Sequence, residues 1–333
     1  MSSSVTLTIN QLSQASSMLV LVLSLTSVTL GGIGLIFNIL IFIRPPLRRE
    51  PCVVYFFWST CFSLILILIL QPVRILAVSF GIDQTTFNLG LCKIEWFAIY
   101  VTRSASSWFI VLACIDRFFH SSANARVRRM STLKTARISI LVMTIIIFSI
   151  HIHSIIYYQT VYQPDRFGNI TPSCSPEKSF YYTFLGLWNM VVYSLFPSSL
   201  MLLFGLLTLK NIRQQRFIIP AAIDHNQTIR RTDAQLLRML LAQVIFIIIF
   251  TLPLSILQLY SSFTGNFSKT ALQLAQESFA FRTASALTYF AHSSTFYMYT
   301  VTGTIFRTEL FKIVRRCGRT IRNIVSTNRG EIY

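Results

Sequence analysis

The first charged residue in this chain is Arg44, and everything before it is neutral. Gaps of the same kind separate Arg137 from Asp165, Lys178 from Lys210 and Arg238 from Lys269. A helix needs roughly 20 apolar residues to cross the hydrocarbon core of a bilayer, and each gap is longer than that. Only 12% of the 333 residues are charged, where soluble domains carry about 25%. Hydrophobic residues make up 53%, phenylalanine alone occurs 28 times, and mean hydropathy is +0.59. A water-soluble fold cannot hide that much apolar surface. The net charge of +18 sits in short clusters between neutral runs. That pattern excludes a nucleic-acid binder, which gathers its cations on one face, and predicts an integral membrane protein.

The charge gaps predict an all-α membrane protein, a seven-transmembrane helix bundle. Its spans fall at about 18–43, 52–80, 91–119, 138–160, 180–209, 239–262 and 271–304. Residues 1–17 form the N-terminal segment, and 305–333 form a short amphipathic helix and tail. Arg74 interrupts the second span; Glu95, Arg103, Asp116 and Arg117 lie in the third; Glu277 and Arg282 lie in the seventh. The first span is not expected to be a cleaved signal peptide, because it has no basic start and its apolar run is too long. Segments 44–49, 117–137, 210–238 and 307–329 hold 22 of the 29 lysines and arginines. Basic loops stay cytoplasmic, which puts the N-terminus outside and the C-terminus inside. Glycosylation triplets at Asn169 and Asn266 fall in loops assigned outside, and a third at Asn226 falls inside and should stay bare.

Of six cysteines, Cys52, Cys61, Cys114 and Cys317 fall within the membrane or on the reducing side. Cys92 and Cys174 sit on the oxidising side, either as one bridge or as two free thiols. A bridge would pin the loop between spans four and five across the top of the third helix.

Seven spans, this orientation and this cysteine pair together resemble the rhodopsin-like G-protein-coupled receptors. The third span ends in Cys-Ile-Asp-Arg-Phe-Phe, Cys114 to Phe119. This is similar to the family's Asp-Arg-Tyr motif, with Phe118 in place of the tyrosine. Cys92 precedes Asp116 by the family's spacing for its bridge cysteine. Asn38, Pro197 and Pro253 match landmarks of the first, fifth and sixth spans. The run Ser294 to Phe311 looks like the Asn-Phe-x-x-Tyr variant of the seventh, with Tyr299 kept. The motif style is similar to invertebrate neuropeptide receptors of the FMRFamide type. The departures are Ser63 where the family has a sodium-binding aspartate, Thr251 where it has a tryptophan, Thr295-Phe296 where Asn-Pro is usual, and no tryptophan in the fourth span.

The resemblance implies a cell-surface receptor that is not an enzyme, needs no cofactor or metal, and passes an extracellular ligand signal to a heterotrimeric G protein. Asp116, Arg117 and Phe118, with Tyr299, would carry coupling. Asp233 stands where the family places a carboxylate that holds the motif arginine, so an Arg117–Asp233 contact is expected to keep helices three and six closed. Pro197 and Pro253 would kink helices that pivot. Ile99 replaces the aspartate of amine receptors and the seventh span lacks a lysine, so a peptide is the ligand class left by elimination.

The outer half of the bundle holds the expected ligand pocket. Glu95, Ile99 and Arg103 are spaced to share one face of a helix, and Arg74, Glu277 and Arg282 lie at similar depth. Charges at such depth rarely face lipid. They either pair internally, for example Glu277 with an arginine, or meet a ligand whose acidic or amide end lies near Arg103. His151 and His153 are two apart, about 200° around a helix, and do not share one ion. Phe180, Tyr181 and Tyr182 read as an interface belt. Cys317 in the basic tail is a palmitoylation candidate or a free thiol. No His-Glu-x-x-His, Gly-x-Gly-Asp or intramembrane aspartate pair points to an enzyme, and no pore loop or repeated half points to a channel or transporter. The remaining alternative is a chemosensory or non-coupling protein of the same fold that takes small molecules.

Overall fold

The computed structural model describes residues 3–164, 170–176, 180–218, 225–264, 267, 269–304 and 306–316. Six helices are long and apolar enough to cross a membrane: α1 (Val5–Phe42), α2 (Pro51–Phe80), α3 (Leu89–His120), α4 (Leu133–Tyr157), α5 (Thr183–Gln214) and the Leu237–Thr264 part of α6. The helix α6 as a whole covers His225–Thr264. A seventh, α7 (Ala271–Ser293), packs along α1 and α6. It falls below the other six in hydropathy because Glu277, Arg282 and three glutamines or histidines interrupt it. After a one-residue break the chain continues as α8 (Thr295–Thr302), and residues 306–316 are again helical. The first helix is already formed at Ser3, well before the span expected from Met18.

The patterning is inside out relative to a soluble bundle. In its apolar window α3 is 78% buried and α4 only 22%. The central helix α3 therefore touches α2, α4, α5 and α6, while Ile138, Leu141, Val142 and Ile145 of α4 face outward. The buried faces carry the polar side chains: Ser59, Ser63, Ser106, Thr251 and His292 are each at most 3% exposed. With lipid outside, buried polar groups find partners only in neighbouring helices.

Breaks in the helices have local causes. Pro72 and Pro197 each follow a stretch of π-helix, Leu66–Leu70 and Met190–Leu195. A proline clashes with the carbonyl one turn before it, and a widened turn relieves that clash. In the π register the amide of residue 197 would bond the carbonyl of Val192, but Pro197 has no N–H. Trp108 Nε1 of α3 donates to that carbonyl instead, at 3.0 Å. Pro253, in contrast, sits inside a continuous helix. The break at Ser294 contains no proline. There Ser293, Ser294 and Thr295 each turn a hydroxyl back onto a carbonyl of α7, at 3.1, 3.4 and 3.5 Å. Three such competing bonds in succession loosen the backbone ladder. α1 lies directly against this break. A Cβ on Gly31 would come 2.2 Å from Ser293 Cβ, so only glycine allows the approach.

Between α4 and α5 the chain forms a hairpin of β1 (Tyr158–Pro164) and β2 (Ile170–Pro176), with Thr160 opposite Cys174. Cys92 and Cys174 form a disulfide, Cα atoms 5.7 Å apart. It ties β2 to the first turn of α3, resolving the choice left open by cysteine placement.

Candidate functional site

Two clusters of buried polar side chains lie on α3, one at its inner end and one in its outer half.

At the inner end Arg117 is 2% exposed. Its Nη2 lies 2.9 Å from Asp116 Oδ2 and 3.8 Å from Glu50 Oε2. Nε donates to the same Asp116 oxygen at 3.3 Å. The other oxygen of Asp116 accepts from Ser131 at 2.7 Å, so the carboxylate is held by the loop leading into α4. Glu50 stands immediately before Pro51, the first residue of α2. It is the first acidic residue of the chain and the member of this cluster that motif reading misses. Its isolation in a basic loop next to a span is the signal that points to it. Asp233, the expected partner of Arg117, has a side chain outside the described residues. Asn169, Asn266 and Cys317 lie outside them as well.

The inner ends of α5 and α6, with α8 and the residues after it, close over the same region. Asn211 of α5 donates to Ser121 at 3.2 Å, and Phe118 packs on Phe204 with ring centroids 5.6 Å apart. Tyr299 donates its hydroxyl to Gln243 of α6, and Thr304 donates to Gln235 at 2.8 Å. The Tyr299 ring lies among Phe42, Phe56 and Phe306. Phe306 is the buried residue that seats the helix 306–316 on the bundle.

At mid-bundle the position of the family's aspartate holds a hydroxyl chain. Ser63 and Ser59 meet Ser106 at 2.8 and 3.0 Å. Ser106 meets His292 Nδ1 at 3.3 Å, and His292 Nε2 meets the Tyr193 hydroxyl at 3.0 Å. Thr251, in place of the usual tryptophan, is buried within 3.4 Å of Ser194. His292 and Tyr193 belong to no motif; Tyr193 stands in a long charge-free run and His292 in the apolar last turns of α7, and that setting is the signal that points to them. Among the described residues, no three His, Cys, Asp or Glu side chains gather as a metal site. The break after His151 sets the His151 and His153 rings 6.3 Å apart, each with its own partner, Ser104 and Tyr181.

The outer residues divide. Arg74 pairs with Glu95 at 3.4 Å and lies over Trp96, 4.8 Å from the ring centre. Ile99 is packed against Leu35, Leu66, Ile67, Leu70 and Tyr289. Glu277 pairs with no arginine among the described residues. Lys269, just before the capping Thr270 of α7, folds back to it at 2.7 Å, and Tyr260 donates to it at 3.2 Å. Glu277 thus lines a groove of about 210 Å³ between the outer ends of α6 and α7, with Leu257, Tyr260, Leu274 and Phe281. Arg282 is half-buried on α7. Arg103 stands apart from every one of these acids. Tyr181 is buried and stacked on Tyr157 at 4.4 Å, a packing residue rather than part of a belt, while Phe180 is 83% exposed.

No curated protein matches this chain. The family model for the seven-transmembrane receptors of the rhodopsin family matches residues 34–299. That match runs from Gly34 in α1 to Tyr299 in α8 and takes in both α3 clusters and the disulfide. The chain belongs to the rhodopsin family of seven-transmembrane receptors, and is a multi-pass G-protein-coupled receptor of the membrane rather than an enzyme.

Proposed function

We propose that this receptor recognises an extracellular peptide in the outer half of its bundle and answers by uncovering Arg117 to a heterotrimeric G protein. The observation that carries the proposal is the burial of Arg117 between two carboxylates, Asp116 and Glu50, on the side marked cytoplasmic by the basic loops. A buried ion pair that must open is a two-state element, and a ligand shifts it only by binding one state better. In the resting arrangement Tyr299–Gln243 and Thr304–Gln235 hold α6 against α8 and the turn that follows it. Outward movement of α6, with Pro253 as its weak point, breaks those contacts and opens a cleft at Arg117. Asp233, near the inner start of α6, is positioned in sequence to join the same contact. The N-terminus lies outside, Asn169 and Asn266 are glycosylation acceptors, and Cys317 anchors the basic tail.

The peptide class is supported by the hairpin β1–β2. Its edge backbone offers the hydrogen-bonding row on which extended peptides add, and the disulfide holds it over the outer end of α3. The likeness in motif style to FMRFamide-type receptors points the same way. The test is a library of short synthetic peptides applied to cells expressing the receptor, read by activation of several Gα classes. Activation is expected for some members and lost in Arg117→Ala at equal surface level. A response to small non-peptide compounds with none to peptides would overturn the ligand class.

A further inference from the structure

We propose that the ligand of this receptor carries a carboxylate, and that this carboxylate docks on Arg103. The inference rests on the reading of the outer half as the ligand site and adds the charge of the ligand to it.

Arg103 is 8% exposed and lies in the third turn inward from Cys92 along α3. Its guanidinium carbon sits 4.4 Å above the Tyr289 ring. Its Nε is buried and has no hydrogen-bond partner. Arginine does not escape such a position by losing its proton, and a ring face offsets only part of what is lost when the cation leaves water. The described acids of the outer half are committed elsewhere: Glu95 to Arg74, Glu277 to Lys269, and Asp83 to the backbone N–H of Thr85. A guanidinium without a counter-charge among the described residues, on the helix at the centre of the bundle, is a site for an anion brought from outside.

The neighbours of Arg103 specify an acceptor. Ser107, one turn further along the same face, has a buried hydroxyl without a partner. Asn189 of α5 has a buried side-chain NH2 that faces the Tyr100 hydroxyl. Tyr193, one turn on from Asn189, and His292 are both within electrostatic reach of Arg103. The two imidazole nitrogens of His292 are already taken by Ser106 and Tyr193. The guanidinium and the Ser107 hydroxyl can therefore both donate to an incoming oxygen. A carboxylate presents two acceptor oxygens to them and forms the paired bonds that a guanidinium favours. A primary amide brings one acceptor oxygen and no charge to meet the guanidinium, so it gains less there than a carboxylate. The carboxylate can belong to a small organic acid or to the free C-terminus of a peptide.

The experiment uses the purified full-length receptor in lipid nanodiscs and reads its thermal unfolding. Four probe pools are compared: small aromatic and aliphatic monocarboxylates, their primary amides, short peptides with free C-termini, and the same peptides amidated. At least one acid pool is expected to raise the unfolding temperature by several degrees while its amide counterpart does not, and the pool that acts identifies the source of the carboxylate. The shift should vanish in Arg103→Gln and survive, weakened, in Arg103→Lys. Without any probe, Arg103→Gln should unfold no lower than wild type, because no partner is orphaned. Equal shifts by acids and amides, or an acid shift that persists in Arg103→Gln, would overturn the anion proposal and leave the ligand site standing. No shift from any pool would remove both.

Discussion

Arg103 and Arg117 stand on one helix, 14 residues and about 21 Å apart along its axis, nearly on the same face. Both are buried and both are always charged. Arg117 meets two carboxylates, one from its own helix and one from the loop entering α2. Arg103 meets a tyrosine ring and leaves a buried nitrogen unpaired. The difference separates a cation satisfied within the resting protein from one that awaits a partner. On the proposed function, the satisfied end is where the protein holds itself closed and the unsatisfied end is where binding energy enters. Between them the Ser63–Ser106–His292–Tyr193 chain joins α2, α3, α5 and α7.

The sharpest break of this comparison replaces each arginine by glutamine. Arg117→Gln leaves Asp116 and Glu50 without their cation and is expected to lower stability by about 3–5 kcal/mol, the cost of breaking a buried pair from one side. Arg103→Gln is expected to be neutral or stabilising. Differential scanning of the two purified variants reads both, and equal losses would erase the distinction. Next in size is Glu50→Gln, which removes one of the groups holding Arg117. Basal G-protein activation should rise roughly fivefold or more, the effect of a coupling term of about 1 kcal/mol. Glu95→Gln, at the outer cluster, should leave basal activity where it is.

A smaller effect is expected for Tyr299→Phe. It removes one hydrogen bond to Gln243, about 1 kcal/mol, and should raise basal activation modestly with surface level unchanged. Smallest is Trp108→Phe, which keeps the ring and leaves the Val192 carbonyl without its donor. A stability loss of about 1 kcal/mol, with ligand response retained, would mark that contact as a repair for Pro197 and no part of signalling.

The fold was legible because lipid imposes a severe rule: long neutral runs must be helices, and charges must end them. Arg44 and the basic loops were enough for the bundle, and the two outer cysteines left a choice between a bridge and free thiols that the structure resolves as a bridge. α7 was the weakest of the seven by hydropathy, since its Glu277 and Arg282 lie on a helix shielded by α1 and α6. Motif positions such as Asp116, Arg117 and Tyr299 were legible through resemblance. What escaped was partner choice. The spacing of Glu277 favours no partner, and Lys269 reaches it only because the chain folds back before α7. Glu50 belongs to no motif, and its meeting with Arg117 depends on how the start of α2 packs against the inner end of α3. Likewise the Ser–His–Tyr chain is assembled from four helices, so no single stretch of sequence displays it. The break at Ser294 was readable in retrospect from three consecutive hydroxyl residues.

The most direct test of the account is ligand-independent. Basal activation of several Gα classes is measured in cells for wild type, Glu50→Gln, Asp233→Ala and Arg117→Ala at matched surface levels. Glu50→Gln and Asp233→Ala should exceed wild type, and Arg117→Ala should fall to the level of cells lacking the receptor. Wild-type signalling in Arg117→Ala, together with no rise in either acid variant, would contradict the role assigned to the buried inner arginine.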